Sequence, residues 1–175
     1  MKQKQVERIL EGHIDIQGMA KALLVEGFNV PAKKKIVTVG SDLFTLMRDS
    51  NRLVKLPDEW FRDEFLSMFY GKKFDWAPEN LEKHIEWQPA QEHAAKFGRQ
   101  PSVFELESLK DRTKRNPCII DAAKILNLKT DDCYWTNEEL AGNPGSAWIV
   151  FFVLGGVGSY GKGSRSYVRP CRFSQ

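Results

Sequence analysis

Residues 98–106, Gly-Arg-Gln-Pro-Ser-Val-Phe-Glu-Leu, carry the strongest local structural signal in the chain. Gly98 is typical of a helix end, and apolar residues recur at helical spacing through residues 87–97 just before it. Ser102 is followed three residues later by Glu105, which is the pattern of a capping box. The stretch therefore predicts one helix that ends at Gly98 and a second that begins after Ser102, with the cationic run 110–115 at its C-terminal end.

The N-terminal half carries weaker signals. Residues 1–34 contain two short stretches with helical spacing and are interpreted as a helical extension. Short strands are predicted at Ile36–Val39 and Asp42–Met47. Pro57 followed by two acids predicts a helix start, and an aromatic stripe continues this predicted helix to Tyr70.

The C-terminal part changes character after Asn127. Cys133–Thr136, Ser146–Leu154 and Ser166–Arg169 are rich in β-branched and aromatic residues and are separated by turn-forming residues. The acidic pair Glu138-Glu139 falls in a stretch that we interpret as a turn. Helices followed by strands predict the α+β class.

Composition excludes several classes of protein. The chain has 175 residues, 42% of them hydrophobic, and a net charge of +3, which is too mild to require a nucleic-acid partner. No apolar run approaches the roughly 20 residues of a membrane span. Three cysteines without close spacing indicate reduced thiols. We expect a cytoplasmic protein without a cleaved signal, with a virion as the alternative location.

Two motifs suggest cofactor chemistry but lack the required context. Gly156–Gly161 satisfies G-x-G-x-x-G, yet neither a helix nor an acid at the right distance follows it. A β-hairpin with glycines at positive φ explains this segment better. The three histidines and three cysteines show no metal-ligand spacing, so we expect no metal and no cofactor. A Cys–His nucleophile pair has no local support.

The motifs in the second half of the chain resemble the Lcl-type C-type-lectin-like domain of bacterial and phage proteins. The resemblance covers residues 84–173 and rests on motifs that follow one another in the order and spacing of that family. These are Glu86-Trp87-Gln88-Pro89-Ala90, Gly98-Arg99-Gln100-Pro101-Ser102-Val103-Phe104-Glu105-Leu106, Tyr134-Trp135-Thr136, Ala147-Trp148-Ile149-Val150-Phe151 and Tyr167-Val168-Arg169-Pro170-Cys171-Arg172. Gln100, Asn137 and Cys171 depart from the usual family residues at positions that a packed fold tolerates.

The resemblance implies a domain organisation and a candidate site. It implies a lectin-like domain over residues 35–175, with two helices flanking a small twisted antiparallel sheet and residues 57–83 as an insertion. Its core tryptophans and Tyr167 would form a rigid platform, while loops and the C-terminal strand face would bind ligand. The candidate ligand-binding residues are Asn137, Glu138, Glu139, Asn143, Tyr160, Lys162 and Arg165.

Three classes of function remain open. We expect a noncatalytic recognition module that binds a protein partner without calcium, encoded by a phage or prophage. The first alternative is an intracellular inhibitor or nucleic-acid-binding protein that uses its basic ends. The second is a glycan-binding protein, although calcium-dependent sugar motifs are missing. An oxidase related to the formylglycine-generating enzymes, which share the fold, would need two neighbouring cysteines, and only Cys171 lies near the end of the domain.

Overall fold

The computed structural model describes residues 51–79 and 84–175. The predicted helical extension over residues 1–34 and the predicted strands Ile36–Val39 and Asp42–Met47 lie outside these ranges. In chain order the elements are β1 (Leu53–Lys55), β2 (Phe61–Asp63), α1 (Glu64–Tyr70), β3 (Lys73–Trp76), α2 (Trp87–Ala95), α3 (Val103–Glu107), a 3-10 helix (Asp121–Leu126), β4 (Cys133–Leu140), β5 (Asn143–Phe151), β6 (Val157–Gly161) and β7 (Cys171–Ser174). Short helices and small antiparallel sheets make this an α+β protein.

The first sheet joins the C-terminal strand to strands from the beginning of the described region. Its strand order is β1-β2-β3-β7, and all its neighbours are antiparallel. Trp76 of β3 lies opposite both Phe61 of β2 and Cys171 of β7. The resemblance implies that residues 57–83 are an insertion, whereas this range supplies the two central strands of the sheet.

The helix predicted from Pro57 begins later than the sequence pattern indicates. Glu59 has a φ of 68°, and Leu56 N donates to Trp60 O at 2.7 Å, so a turn occupies the predicted first turn of helix. Residues 61–63 then extend as β2, because Phe61 pairs with Trp76. The helix α1 starts only at Glu64, where the Asp63 side chain accepts from Leu66 N at 3.0 Å.

The two helices around Gly98 are confirmed. Helix α2 ends at Ala95, with Lys96 as its C-cap, and buries Trp87 on its inner face. Helix α3 begins after Ser102 with both hydrogen bonds of the capping box present. The prediction for residues 110–115 was wrong, because α3 ends at Glu107 and the run lies in the following loop. The buried Lys110 donates instead to Gly155 O at 2.7 Å.

The second sheet, in the order β4-β5-β6, packs one face against α2. Trp135 and Trp87 are buried there, and each indole N–H donates to a backbone carbonyl at 2.8 Å. Tyr167 is also buried, whereas Trp148 is half-buried. Because the strand order is β4-β5-β6, β6 is an outer strand of this sheet as described.

Two strand predictions need correction, and the glycine-rich segment is confirmed as a hairpin. Ser166–Arg169 forms isolated bridges, through Ser166 and Tyr167, rather than a strand. Glu138-Glu139 lies inside β4 rather than in a turn. The connection between β5 and β6 contains Gly155 at a φ of 71°, but the positive φ predicted for the glycines of residues 156–161 is wrong, because these residues are extended in or next to β6. A left-handed residue at this turn is easiest for glycine.

Candidate binding face at the β5–β6 hairpin

Strand register brings part of the predicted site together. Glu139 of β4 and Tyr160 of β6 lie opposite the same residue, Ala147 of the central strand. Lys162 follows β6, and its Nζ lies 2.6 Å from Glu139 Oε1. Antiparallel pairing therefore places three predicted residues, which are separated by up to 23 positions in sequence, on neighbouring strands.

Lys162 is fixed at several points. Its backbone N donates to Gly145 O at 2.8 Å, and its backbone O accepts from Trp87 N at 3.0 Å. Its Nζ lies 4.2 Å from the centre of a Trp87 ring, which is close enough for a cation–π contact. The side chain is still 25% exposed. Lys162 is thus a positioned cation that remains accessible at the surface.

The neighbouring predicted residues extend this surface. The Tyr160 ring meets Phe151 edge-on at 6.0 Å and is 38% exposed. Asn143 lies at the exposed start of β5, where its Oδ1 accepts from Gly145 N at 3.3 Å. Arg165 is exposed in the turn after β6. We call the set Glu139, Asn143, Tyr160, Lys162 and Arg165 the hairpin face.

Asn137 and Glu138 have structural contacts of their own. Glu138 Oε1 accepts from Val103 N at 2.7 Å, so this carboxylate caps the first turn of α3. Asn137 N donates to Pro101 O at 2.9 Å, which fastens β4 to the segment before α3. The structure therefore gives these two predicted site residues a role in holding α3, and we do not include them in the hairpin face.

The basic C-terminal segment is largely committed to internal contacts. The fully buried Arg169 donates to Leu126 O at 2.8 Å and to Pro78 O at 3.2 Å, and burial lowers its pKa to about 10. Arg172 lies 3.7 Å from a ring centre of Trp60 and donates to Asp58 Oδ2 at 2.6 Å. Among the described residues, Arg165 is the cation of this segment without a side-chain partner.

A groove that sequence reasoning missed lies at the other end of β6. It has a volume of about 510 Å³ and lies between the loop after α3 and the β5–β6 turn. Cys118, Gly155 and Leu154 are among its lining residues, and Leu154 is 80% exposed. The basic and acidic lining residues are Glu107, Arg112, Lys114 and Arg115. The cationic run 110–115 could have indicated this groove, but the sequence pattern favoured the C-terminal end of a helix there.

All three cysteines are buried and free. Burial raises the pKa of Cys133 to about 12, and burial followed by the Glu105 carboxylate raises that of Cys171 well above its ordinary value. Cys133 Sγ lies 3.1 Å from Ser166 Oγ. Across residues 51–79 and 84–175, no three His, Cys, Asp or Glu side chains converge on a point where a metal ion would fit.

Comparison of the sequence with protein families and curated proteins identified no relative. No protein-family model matches the sequence, and no curated protein matches it significantly. Within the described ranges, no helix combines the length and the apolar character needed to cross a membrane.

Proposed function

We propose that this chain is a noncatalytic, C-type-lectin-like recognition module that binds a protein partner through the hairpin face. The lectin-like assignment is supported by the pairing of the last strand, β7, with β3, which precedes the region of resemblance. It is further supported by the two successive helices α2 and α3 and by the separate three-stranded sheet β4-β5-β6. The two helices and the small antiparallel sheets follow what the resemblance implies, whereas the place of β3 within residues 57–83 departs from the insertion that it implies.

The positioning of Lys162 carries the proposed location of binding. A lysine held by two backbone hydrogen bonds, a tryptophan ring and a carboxylate loses less conformational freedom on binding than a free surface lysine. Exposed Tyr160 beside it offers a rigid amphipathic ring, a type of side chain enriched in protein interfaces. Together they favour recognition of a folded or extended protein surface.

The contacts of the other candidate groups support this function over the alternatives. The thiols of Cys133 and Cys171 have raised pKa values, which disfavours the thiolate that a cysteine-based oxidase would need. Internal contacts occupy Arg169 and Arg172, which leaves little of the C-terminal positive charge for a phosphate backbone. A protein partner needs neither of these features.

The proposal is tested by a quantitative pull-down from nuclease-treated bacterial lysate. Wild type is compared with a Tyr160→Ala/Lys162→Ala/Arg165→Ala variant, and a Lys72→Ala/Lys96→Ala variant serves as a control for lost surface lysines. We expect a protein in near-stoichiometric amount that wild type and control retain and the triple variant loses. The same captured set for all three proteins, or material that nuclease removes, would contradict the proposal.

A further inference from the structure

The outer edge of β6 has backbone groups that pair with no other described residue. Phe151 N donates to Gly156 O at 3.0 Å, and Lys162 N donates to Gly145 O at 2.8 Å. Hydrogen-bonded pairs alternate along an antiparallel ladder, so the even-numbered residues from 156 to 162 are the ones bonded to β5. The N–H and C=O groups of Val157 and Ser159 therefore point away from β5.

These outward groups are accessible. Both Val157 and Ser159 are exposed, and no hydrogen bond within the described part of the chain reaches their outward backbone groups. The next outward carbonyl, that of Gly161, accepts from Ser164 N at 2.8 Å. The opposite edge of this sheet is covered, because Trp135 N donates to Tyr167 O at 2.9 Å. An exposed strand edge of this kind is a template for an additional strand.

The groove adjoins this edge, because Val157 belongs both to β6 and to the groove lining. Three cations and one carboxylate line the groove, which gives it a positive character. Arg112 is 78% exposed and only 3.4 Å from Glu107, whereas Lys114 lies 2.8 Å from Asp121. Arg115 is exposed and has no side-chain partner among the described residues. The groove therefore has positive charge available for an anionic ligand.

Apolar side chains accompany the cations. Leu154 is 80% exposed and Val157 38% exposed, and both line the groove. In an added strand, successive side chains point to opposite faces, so acidic residues can alternate with apolar ones. The side chains that point toward the groove would then be the acidic ones, whose carboxylates meet Arg112 and Arg115 and whose methylene groups contact Leu154 and Val157.

We infer that the partner contributes an extended acidic segment, which adds as a strand to the outer edge of β6 and places its carboxylates in the Arg112–Arg115 groove. The inference rests on the proposed function, because it names the chemistry of that same protein partner. The segment pairs through its backbone with Val157 and Ser159. Its charge provides selectivity against basic segments.

The probe for this inference is a fluorescein-labelled octapeptide of alternating Glu and Val, with the Lys/Val octapeptide as its matched control. We expect saturable binding of the acidic peptide by full-length protein, with the Lys/Val peptide at least about tenfold weaker. Arg112→Glu/Arg115→Glu should raise the dissociation constant at least about tenfold. Lys72→Glu/Lys96→Glu changes the net charge equally and should raise it less than about threefold.

Backbone pairing is tested separately from charge. Ser159→Pro removes an outward N–H but no bond to β5, so it should weaken peptide binding at least about tenfold, whereas Ser159→Ala should not. Amide hydrogen exchange on wild type gives an independent measurement that needs no variant. Saturating acidic peptide should slow exchange at Val157 and Ser159, whose amides have no hydrogen-bond partner within residues 51–79 and 84–175.

The contrary outcomes are specific. Equal binding of both peptides, no binding at about 1 mM, equal effects of the two charge variants, or unchanged exchange at Val157 and Ser159 would each overturn the inference. In the pull-down, a partner lost by the hairpin-face triple variant but retained by Arg112→Glu/Arg115→Glu overturns this inference alone. A wild type that captures no protein overturns the proposed function.

Discussion

Gly98 has no room for a side chain. A Cβ added there would lie 2.4 Å from Cys171 O and 2.9 Å from Arg172 Cβ. The approach is close because Arg99 and Cys171 exchange two backbone hydrogen bonds of 2.9 Å next to it. The sequence stretch that predicts the helix boundary is therefore also where the chain crosses its own C-terminal strand.

We expect Gly98→Ala to lower the free energy of unfolding by about 3 kcal/mol, since backbone and β7 must both shift. Gly71→Ala is the matched control. Gly71 has a φ of 62°, but no atom of the described residues lies within 4 Å of an added Cβ, so the substitution should cost only about 1 kcal/mol. Urea unfolding of both variants measures the difference. Equal losses would show that the close contact with Cys171 relaxes freely.

Asp63 is the centre of a buried polar cluster. It accepts from Arg52 Nε at 2.8 Å and Nη2 at 2.7 Å, from Trp76 Nε1 at 3.0 Å and from Leu66 N at 3.0 Å. Arg52 and Asp63 are both fully buried. Neutralising one member of such a pair leaves the other charge uncompensated in a medium of low polarity.

Asp63→Asn should therefore lower the free energy of unfolding by about 3 kcal/mol or more. Asp58→Asn, which breaks the half-exposed pair with Arg172, should have a much smaller effect because solvent screens that pair. Guanidinium unfolding of the two variants in the same buffer provides the comparison. If Asp58→Asn were the more damaging change, the Arg52 cluster would not be the dominant ionic contact.

At the scale of elements, α3 is short and depends on its capping. It has five residues, and its first amides are satisfied by Ser102, by Glu105 and by Glu138 from β4. A helix this short has little stability of its own, so side chains at its start are important. Glu138 and Glu139 are neighbours in sequence, but one side chain caps α3 and the other pairs with Lys162.

We expect Glu138→Ala to lower the free energy of unfolding by about 1 kcal/mol, as loss of a capping group does. Glu139→Ala should stay within about 0.5 kcal/mol of wild type but should weaken capture of the partner in the pull-down. Thermal unfolding and capture are measured on both variants. If Glu138→Ala weakened capture of the partner without changing the free energy of unfolding, Glu138 would belong to the hairpin face.

Asp75 of β3 links three strands of the first sheet. It pairs with Arg62 of β2 and with Arg172 of β7, at 3.5 Å in the second case. Burial acts to raise the pKa of Asp75, but the hydrogen bonds and charges of these partners outweigh it and lower the pKa. A lowered pKa in the folded state means that the stabilisation is present above the unfolded pKa and is lost as pH falls through the folded one.

The free energy of unfolding of wild type should therefore decrease as acid protonates Asp75. In the Asp75→Asn variant this decrease should be smaller. The variant is expected to be less stable than wild type at pH 7, and the two should converge once the pH falls below the lowered pKa of Asp75 in the folded protein. Urea unfolding across this pH range tests the expectation. Parallel curves at all pH values would mean that Asp75 does not contribute to the acid sensitivity.

At the scale of the whole molecule, sequence predicted the elements that local signals define. The capping box at Ser102 and the helix before Gly98 are present because both depend on neighbouring residues. The helix start at Pro57 failed because a distant strand, through Trp76, draws Phe61 into a sheet. No local pattern reports such a pairing, which tertiary packing imposes over intrinsic propensity.

The residues of the candidate site also separate into those that could be predicted from the sequence and those that depend on tertiary packing. The resemblance implied Tyr160, Lys162 and Glu139 as site residues, and the strand register explains why they meet. Treating Glu138-Glu139 as a turn hid the alternation that sends neighbouring strand residues to opposite faces. The groove was missed because its lining comes from the loop after α3 and from the β5–β6 turn, which are about 40 residues apart in sequence.

The thiols report on unfolding of the whole molecule, because they lie buried in three separate places. Cys118 belongs to the loop before the 3-10 helix, Cys133 to β4 and Cys171 to β7. Burial raises the pKa of Cys133 and Cys171, which further reduces the reactive thiolate in the folded state. We therefore expect an aromatic disulfide reagent to react with native protein at least about 100-fold more slowly than with unfolded protein.

After denaturation without reductant, the reagent should count all three cysteines of the chain. Only one reactive thiol would instead indicate a disulfide and contradict the expected reduced state. Rapid reaction of Cys118 alone in native protein would show that the loop forming the Arg112–Arg115 groove opens locally. Repeating the native measurement with saturating Glu/Val peptide then links the two sites, because a strand added along β6 should close that loop and slow the reaction of Cys118.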